Sequence, residues 1–204
     1  MNGTEGAHSH RDYTGSKIGM WLFLFTEFFL FFGPILLYSI FRFRYPQAFI
    51  EASRALDTGV GVFNTALLLT SSLTMALAIT AMQRNKKGLT LILLGATVGA
   101  GAFFLVNKYF EWATKISHGV YPGGEALAGQ ADGGAIFYGL YFFATGLHAI
   151  HVLAGMVIIV IAGLMVHEGR INSRDFVALE NSGLYWHLVD VIWIYLFPVF
   201  YLVR

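Results

Sequence analysis

The charged residues of this sequence are confined to short segments, and this segregation limits what the chain can fold into. Of its 204 residues, 25 are Asp, Glu, Lys or Arg. Five stretches contain only two of these charges, Glu27 and Asp190; the stretches are residues 18–41, 60–82, 89–107, 135–166 and 183–203. A helix needs roughly 20 apolar residues to cross a hydrocarbon core about 30 Å thick, and each stretch reaches or nearly reaches that length. The pattern predicts an integral membrane protein.

The five stretches predict an all-α fold, a membrane bundle of five transmembrane helices over about the same residues. The fourth would be about 48 Å long as one helix, so we expect it to tilt or to protrude from the bilayer. Residues 1–17, which include His8 and His10, are predicted to form a solvated polar tail. No connecting segment could fold as a separate domain, so residues 18–204 are predicted to form a single membrane domain.

The distribution of Lys and Arg predicts the orientation of the chain. With five spans the termini lie on opposite sides of the membrane. The tail and the second and fourth connections carry seven Lys and Arg, against six for the other connections and the C-terminus. The short turn at residues 83–88 adds weight, because half of its residues are cationic. The positive-inside rule therefore favours a cytoplasmic N-terminus and a C-terminus outside.

The sequence contains no cysteine, which limits the chemistry that it can support. Disulfides, iron–sulfur clusters, c-type haem attachment and thiolate-bridged copper are all excluded. The net charge of +1 and the lack of a basic cluster give no indication of nucleic-acid binding. Any electron chemistry that this protein serves must use cofactors of other kinds or of other chains.

Glu27 is the tenth residue of the first stretch, about 15 Å from its start and close to the bilayer midplane. An acid at that depth costs about 2.5–3.5 kcal/mol on insertion scales, so it should be paired, protonated or close to water. Two interpretations are open: a proton-relay or lipid-headgroup contact, or a protonated carboxyl hydrogen-bonded to a neighbouring helix. His148 or His151 of the fourth stretch is the expected partner.

Three histidines lie within the apolar stretches. His148 and His151 share one helix face, so they could ligate one ion but could not hold a haem from opposite sides. His187 precedes Asp190 by three residues, a spacing that lets imidazole and carboxylate meet, with Trp186 and Trp193 nearby. Because helix histidines usually serve as hydrogen-bonding contacts between helices, we predict that role here and no metal site.

Two further patterns predict helix packing. Asn64 and Ser71 share a face of the second helix and form a polar stripe with the nearby Thr65, Thr70, Ser72 and Thr74. This stripe should contact neighbouring helices and not lipid. In the third helix, Gly95 and Gly99 form a small-residue pair at the spacing that permits close approach of two backbones. The spacing predicts that another helix packs closely against these two glycines.

Taken together, five passages resemble subunit III of the haem-copper respiratory oxidases, also called cytochrome c oxidase subunit III, in its short five-helix form. The passages follow the family's order and contain WLFLFTEFFLFF, FNTALLLTSS, GAFFLVNKYFEW, FATGLHAIHVLAG and YWHLVDVIWIYLF, at residues 21–32, 63–72, 101–112, 143–155 and 185–197. Glu27 matches the family's membrane-buried glutamate, and His148 and His151 match its paired histidines. His187 and Asp190 match its last-helix motif.

The resemblance implies a non-catalytic membrane subunit packed against the catalytic subunit I and other oxidase subunits. Haem and copper are expected in that partner and none in this chain, and phospholipid binding is expected of the family. Glu111 and Asn64 lie within matching passages and are predicted buried polar sites, and Trp186 and Trp193 belong to the last-helix motif. The longer family form has two additional N-terminal helices that build one wall of a lipid cleft, and this chain lacks them.

Several alternatives follow from the same sequence. Within the family, the chain could serve a quinol oxidase or a nitric oxide reductase; in each case the expected location is a bacterial cytoplasmic membrane. A haem b-binding membrane anchor is an alternative of another class, in which His187 and one of the paired histidines would bind a single haem. A proton-coupled transporter with Glu27 and Asp190 as relay acids is a third, although the sequence has no internal repeat.

Overall fold

The structure is a computed structural model that describes residues 13–125, 127 and 132–203. His8 and His10 of the predicted tail lie outside this described part. Regular structure within it is helical, apart from an isolated bridge between Asn172 and Asp175. The α-helices are α1 Tyr13–Arg44, α2 Pro46–Arg54, α3 Thr58–Gln83, α4 Lys87–Ser117, α5 Asp132–His167 and α6 Val177–Phe197, and a π-helix follows at Pro198–Leu202.

Five helices in the described part of the chain are long and apolar enough to cross a membrane, in the places that the charge-free stretches predict. These candidate spans are Thr14–Arg44, Thr58–Gln83, Lys87–Ser117, Gly133–His167 and Val177–Leu202. The short helix α2 was not predicted. It begins at a proline in its first turn and is only nine residues long. A helix this short contains too few residues for charge segregation to reveal it.

The helices begin and end for local reasons. The Asp57 side chain accepts hydrogen bonds from the backbone amides of Gly59 and Val60 and so caps α3. Asn85 takes a left-handed φ of 57° in the turn between α3 and α4. Helix α4 continues ten residues beyond the predicted stretch, because charged side chains such as Lys108 do not interrupt the helical backbone.

Helix α6 lies at the centre of the bundle. It packs against α1, α3 and α5, and more than half of its span is buried, whereas only 17% of the corresponding window of α1 is buried. Helices α3 and α4 pair as an antiparallel hairpin on one side of α6, and α1 lies against α5 and α6. Helix α1 therefore presents most of its aromatic side chains outward, as a lipid-facing or partner-facing helix does.

Helices pack closely around Trp186, which is fully buried. A Cβ atom added at Gly101 or at Gly155 would lie 2.8 Å from the indole ring, so both glycines make room for it. Gly95 and Gly99 have no such neighbour within 4 Å. The prediction of close packing at Gly95 and Gly99 is therefore wrong within the described chain, because that face of α4 turns away from the neighbouring helices.

Contacts at both ends of the bundle join helices that are distant in sequence. At the end that holds the start of α1, Lys17 pairs with Glu180 at 2.9 Å and Lys87 donates to the carbonyl of His167. At the opposite end, Arg42 donates to the carbonyl of Val203 at 2.6 Å. The contacts of Lys17 and Arg42 tie the first helix to the C-terminal part of the chain at both ends of the bundle.

Candidate functional site

Glu27 contacts His151 across the interface between α1 and α5. Glu27 Oε2 and His151 Nε2 are 2.8 Å apart, and both side chains are mostly buried. The other ring nitrogen, Nδ1, lies 2.7 Å from the carbonyl of Leu147. A carbonyl only accepts, so Nδ1 carries a proton and donates it there. The expected pairing of Glu27 with a histidine of the fourth stretch is confirmed, and the partner is His151.

One proton is shared in the contact between Glu27 and His151. Either protonated Glu27 donates to Nε2, or protonated Nε2 donates to the carboxylate, and the net charge of the pair is zero in both arrangements. The Phe31 ring and the imidazole pack in a T-shaped arrangement, with ring centroids 5.0 Å apart. An acid near the membrane midplane is thus compensated within the chain, which removes most of the cost of burying an isolated charge.

His148 does not join this pair, although it shares a helix face with His151. Its ring is fully buried, with centroids 5.5 Å from Phe104 and 5.2 Å from Trp193. Neither ring nitrogen has a hydrogen-bond partner among the described residues. The two histidines therefore have separate surroundings, and no group of three or more potential metal ligands occurs in the described part of the chain.

The last-helix motif binds to α3 and not within itself. His187 Nδ1 lies 2.6 Å from the hydroxyl oxygen of Ser72, so the expected contact between His187 and Asp190 is not formed. Asp190 is buried on the same side of α6, where neither carboxyl oxygen meets a described partner at hydrogen-bonding geometry. The fixed rotation of α6 directs His187 toward α3, which sequence spacing alone does not specify.

The polar stripe of α3 contacts neighbouring helices, as predicted. Asn107 of α4 donates to Asn64 at 2.8 Å, and the hydroxyls of Thr74 and Thr97 are also 2.8 Å apart. The two indole N–H groups of the last helix donate to the same stripe: Trp186 to Ser71 and Trp193 to Thr65, each at 3.0 Å. The stripe is a line of hydrogen bonds between helices.

A further buried cluster joins Lys108, Glu111, Tyr141 and Tyr201. The ammonium of Lys108 donates to Glu111 Oε2 at 2.9 Å and to the hydroxyl of Tyr201 at 2.8 Å. Both tyrosine hydroxyls donate to Glu111 Oε1, at 2.6 Å from Tyr141 and 2.7 Å from Tyr201. The Lys108 ammonium also lies 5.0 Å from the Trp193 ring centroid, within range of a cation–π contact.

Of this cluster, only Glu111 is predicted from the sequence. Lys108 is the first charged residue after the predicted span 89–107, although α4 continues through it. The signal available was the spacing of three residues between Lys108 and Glu111, which favours an ion pair on one helix face. Tyr141 and Tyr201 could not be found in this way, because they lie 33 and 93 positions from Lys108.

The pair of Glu27 and His151 can share a proton, and the polar stripe and the cluster around Lys108 can hold helices together. A haem would need room on both sides of its iron, and the rings around His148 fill the space beside that imidazole. His151 is engaged at both of its ring nitrogens by Glu27 and Leu147. The arrangement is therefore suited to structural and proton-sharing roles within a membrane bundle.

Comparison with known proteins assigns the family. The sequence matches the family model of cytochrome c oxidase subunit III over residues 1–203. A haem-copper oxidase subunit I+III of Aeropyrum pernix is 27% identical over 97% of this chain, which spans about a quarter (24%) of that longer protein.

Two other relatives are similar over most of their own length. Subunit 3 of the cytochrome bo(3) ubiquinol oxidase of Pseudomonas aeruginosa is 26% identical over 98% of this chain and 90% of its own. A probable cytochrome c oxidase subunit 3 of Rickettsia bellii is 28% identical over 96% of this chain and 72% of its own. With its membrane-length helices and a match that covers nearly every residue, the chain is an integral membrane protein that belongs to the cytochrome c oxidase subunit III family.

Proposed function

We propose that this chain is a non-catalytic membrane subunit of a haem-copper terminal oxidase, and that it packs against the catalytic subunit I. The observation that carries the proposal is the family match along the whole chain. The Aeropyrum relative adds support, since its name describes subunits I and III in one polypeptide. Haem and copper would then belong to the partner, and this chain would hold no redox centre of its own.

The proposed topology is a single membrane domain of five transmembrane helices in a bacterial cytoplasmic membrane. Helix α2 would lie at one membrane surface, because nine residues span only about 14 Å. The N-terminus would face the cytoplasm, in agreement with the cationic turn between α3 and α4. Helix α2, the segment after α4 and the C-terminus would then face outward together.

Within the complex, the buried polar groups would support the assembly in two ways. The hydrogen bonds from α3 to α4 and α6, and the cluster around Lys108, would fix the helix packing that the catalytic subunit contacts. The pair of Glu27 and His151 would hold an exchangeable proton close to the membrane midplane. Proton uptake by the catalytic subunit, or retention of a bound phospholipid, would be the processes that this pair assists.

This proposal has three forms, which differ in the oxidase or reductase that the chain serves. Relatives of similar identity are named both as ubiquinol oxidase and as cytochrome c oxidase subunits. A nitric oxide reductase partner is the third form. The catalytic subunit that purifies with this chain distinguishes all three, since its sequence and haem content differ among them.

The test is purification of the intact complex through an affinity tag on this chain, in a mild detergent. We expect a haem-copper catalytic subunit in the eluate, identified by mass spectrometry and by the reduced-minus-oxidised optical spectrum. After dissociation, the separated chain should show no haem band. Recovery of the folded chain without any such subunit would refute the proposal, and a b-type band in the separated chain would favour the haem-anchor alternative.

The role of the Glu27 pair is tested in the same complex. Glu27→Gln keeps a hydrogen-bond donor for His151 but cannot exchange a proton as a carboxyl does. We expect the variant complex to assemble and to differ from wild type only in proton uptake or in retained phospholipid. The matched control is Glu125→Gln, a change of the same kind at an exposed position in the segment after α4. Loss of assembly in Glu27→Gln alone would contradict this role.

A further inference from the structure

A groove runs along the outside of the bundle between α1 and α6. It consists of two hollows, of about 340 and 230 Å³, and Phe28 lines both. Trp21, Phe25 and His187 line the first hollow, while the second lies against Phe31, Ile35 and Tyr195. The combined volume falls in the range of sites that bind small organic molecules.

The groove crosses the middle of the membrane-spanning region. Phe28 is at the centre of the span Thr14–Arg44, and His187 is ten residues, or about 15 Å, into α6. Helices α1 and α6 run in the same direction, so the first hollow lies between residues 21–28 and 184–191, and the second between residues 28–35 and 192–195. The wall from Trp21 to Ile35 is about 21 Å long, and its shape is elongated along the membrane normal.

Apart from the Trp21 indole and the Tyr195 hydroxyl, the polar side chain that lines this apolar groove is His187. The hydroxyl oxygen of Ser72 lies 2.6 Å from Nδ1 of His187 and so fixes the imidazole in place. No described residue forms a hydrogen bond to the other ring nitrogen, Nε2, and the side chain is only partly buried. An imidazole nitrogen that meets only hydrocarbon loses a hydrogen bond, which is costly. The groove therefore suits an occupant with a hydrogen-bonding group at this depth.

Depth and charge select the class of that occupant. The polar groups of phospholipids and fatty acids lie at the membrane surface, and a charged group at the midplane is costly. An acyl chain would reach His187 but would leave Nε2 without a partner. An isoprenoid quinone carries an uncharged ring with carbonyl or hydroxyl oxygens and a long apolar tail, and its ring can pack against aromatic side chains.

We propose that the groove between α1 and α6 binds an isoprenoid quinone, with the ring in the hollow beside His187 and the tail in the hollow beside Phe31. The proposal does not depend on the proposed oxidase role, because every residue in it belongs to this chain. It concerns binding and includes no electron transfer.

The contact between Ser72 and His187 permits binding of either redox form. If the Ser72 hydroxyl donates to Nδ1, the Nε2–H donates to a quinone carbonyl. If Nδ1–H donates to Ser72, the bare Nε2 accepts from a quinol hydroxyl. A change of tautomer, without a change of charge, thus adapts the groove to both forms.

Photolabelling of the full chain in phosphatidylcholine nanodiscs tests the proposal. The probe is an azido-ubiquinone with a short isoprenoid tail, and labelled peptides are located by mass spectrometry. We expect label at residues 21–28 and 184–191, displaced by decylubiquinone and not by oleic acid. Label elsewhere, no label, or equal displacement by oleic acid would overturn the proposal; the last result would identify an acyl-chain groove.

Variants separate the role of His187 from folding. His187→Phe should lower labelling about fivefold, the factor that one neutral hydrogen bond provides, whereas His187→Gln should retain most of it. Leu184→Trp should block the first hollow without touching the contact between His187 and Ser72. His118→Phe, at an exposed histidine after α4, is the matched control and should label as wild type. Unchanged labelling in both His187→Phe and Leu184→Trp would refute the site.

Discussion

The packing of Trp186 against Gly101 predicts that the glycines of α4 differ sharply in their tolerance of alanine. A Cβ at Gly101 would lie 2.8 Å from the indole ring and 3.2 Å from the Met156 side chain. Carbon atoms at van der Waals contact are about 3.5–4.0 Å apart, so the ring would have to move by about 1 Å. The ring is not free to do so, because its N–H is bound to Ser71 at 3.0 Å and Gly155 confines its other edge.

The expected magnitude follows from two opposing effects. Overpacking of a buried site costs about 1–3 kcal/mol, while alanine gains up to about 1 kcal/mol over glycine as a helix former. With the full gain from alanine, Gly101→Ala should therefore lower the free energy of unfolding by up to about 2 kcal/mol. The matched control is Gly95→Ala on the same helix, where an added Cβ would have no atom of a neighbouring helix within 4 Å, so only the favourable effect remains.

The assay is equilibrium unfolding in mixed micelles with increasing dodecyl sulfate, followed by near-ultraviolet circular dichroism of the tryptophans. Gly101→Ala should unfold at a lower dodecyl sulfate fraction than wild type, and Gly95→Ala at an equal or higher one. The double variant Gly101→Ala with Trp186→Phe should lose less than the sum of its single changes, since the smaller ring leaves room for the methyl group. Equal effects of alanine at both glycines would refute the packing argument.

Three further predictions concern the buried polar groups and the cap of α3. Lys108→Met should cost about 3–5 kcal/mol in the same titration, because Glu111 loses its buried cation; the double change with Glu111→Gln should cost less, and an equal loss would contradict the ion pair. Glu27→Ala should cost about 1–3 kcal/mol by leaving the Nε2 of His151 unpaired, whereas Glu27→Gln should cost less, and the opposite ranking would disprove the contact. Asp57→Ala should cost about 0.5–2 kcal/mol and speed amide exchange at residues 59 and 60; unchanged exchange would exclude the cap.

The sequence was sufficient to predict the membrane spans, because charge exclusion from hydrocarbon acts on every residue of a span. It was not sufficient to predict their ends or helix α2. Lys108 shows the reason: a charge that is neutralised by Glu111 and hydrogen-bonded to two tyrosines can lie inside the bundle, so the first charge after an apolar stretch need not end the helix. Helix ends depend on such tertiary contacts and on local caps.

The candidate site was predicted where a buried charge required a partner and missed where helix rotation decided the contact. Glu27 required a buried partner on energetic grounds, and the fourth stretch offered the histidines. Spacing within α6 left open whether His187 would face Asp190 or α3, and the structure places it against Ser72. The small-residue pair at Gly95 failed for the same reason, since spacing specifies a face and not its neighbour.

The short contact between Glu27 and His151 also determines how this pair responds to a membrane potential. An elementary charge carried across the whole membrane changes energy by about 2.3 kcal/mol per 100 mV. A proton passing between the two side chains moves less than the 2.8 Å that separates their atoms. That is at most about a tenth of a hydrocarbon core about 30 Å thick, so 100 mV shifts the balance by no more than about 0.2 kcal/mol. The position of this proton is therefore almost independent of voltage in an energised membrane.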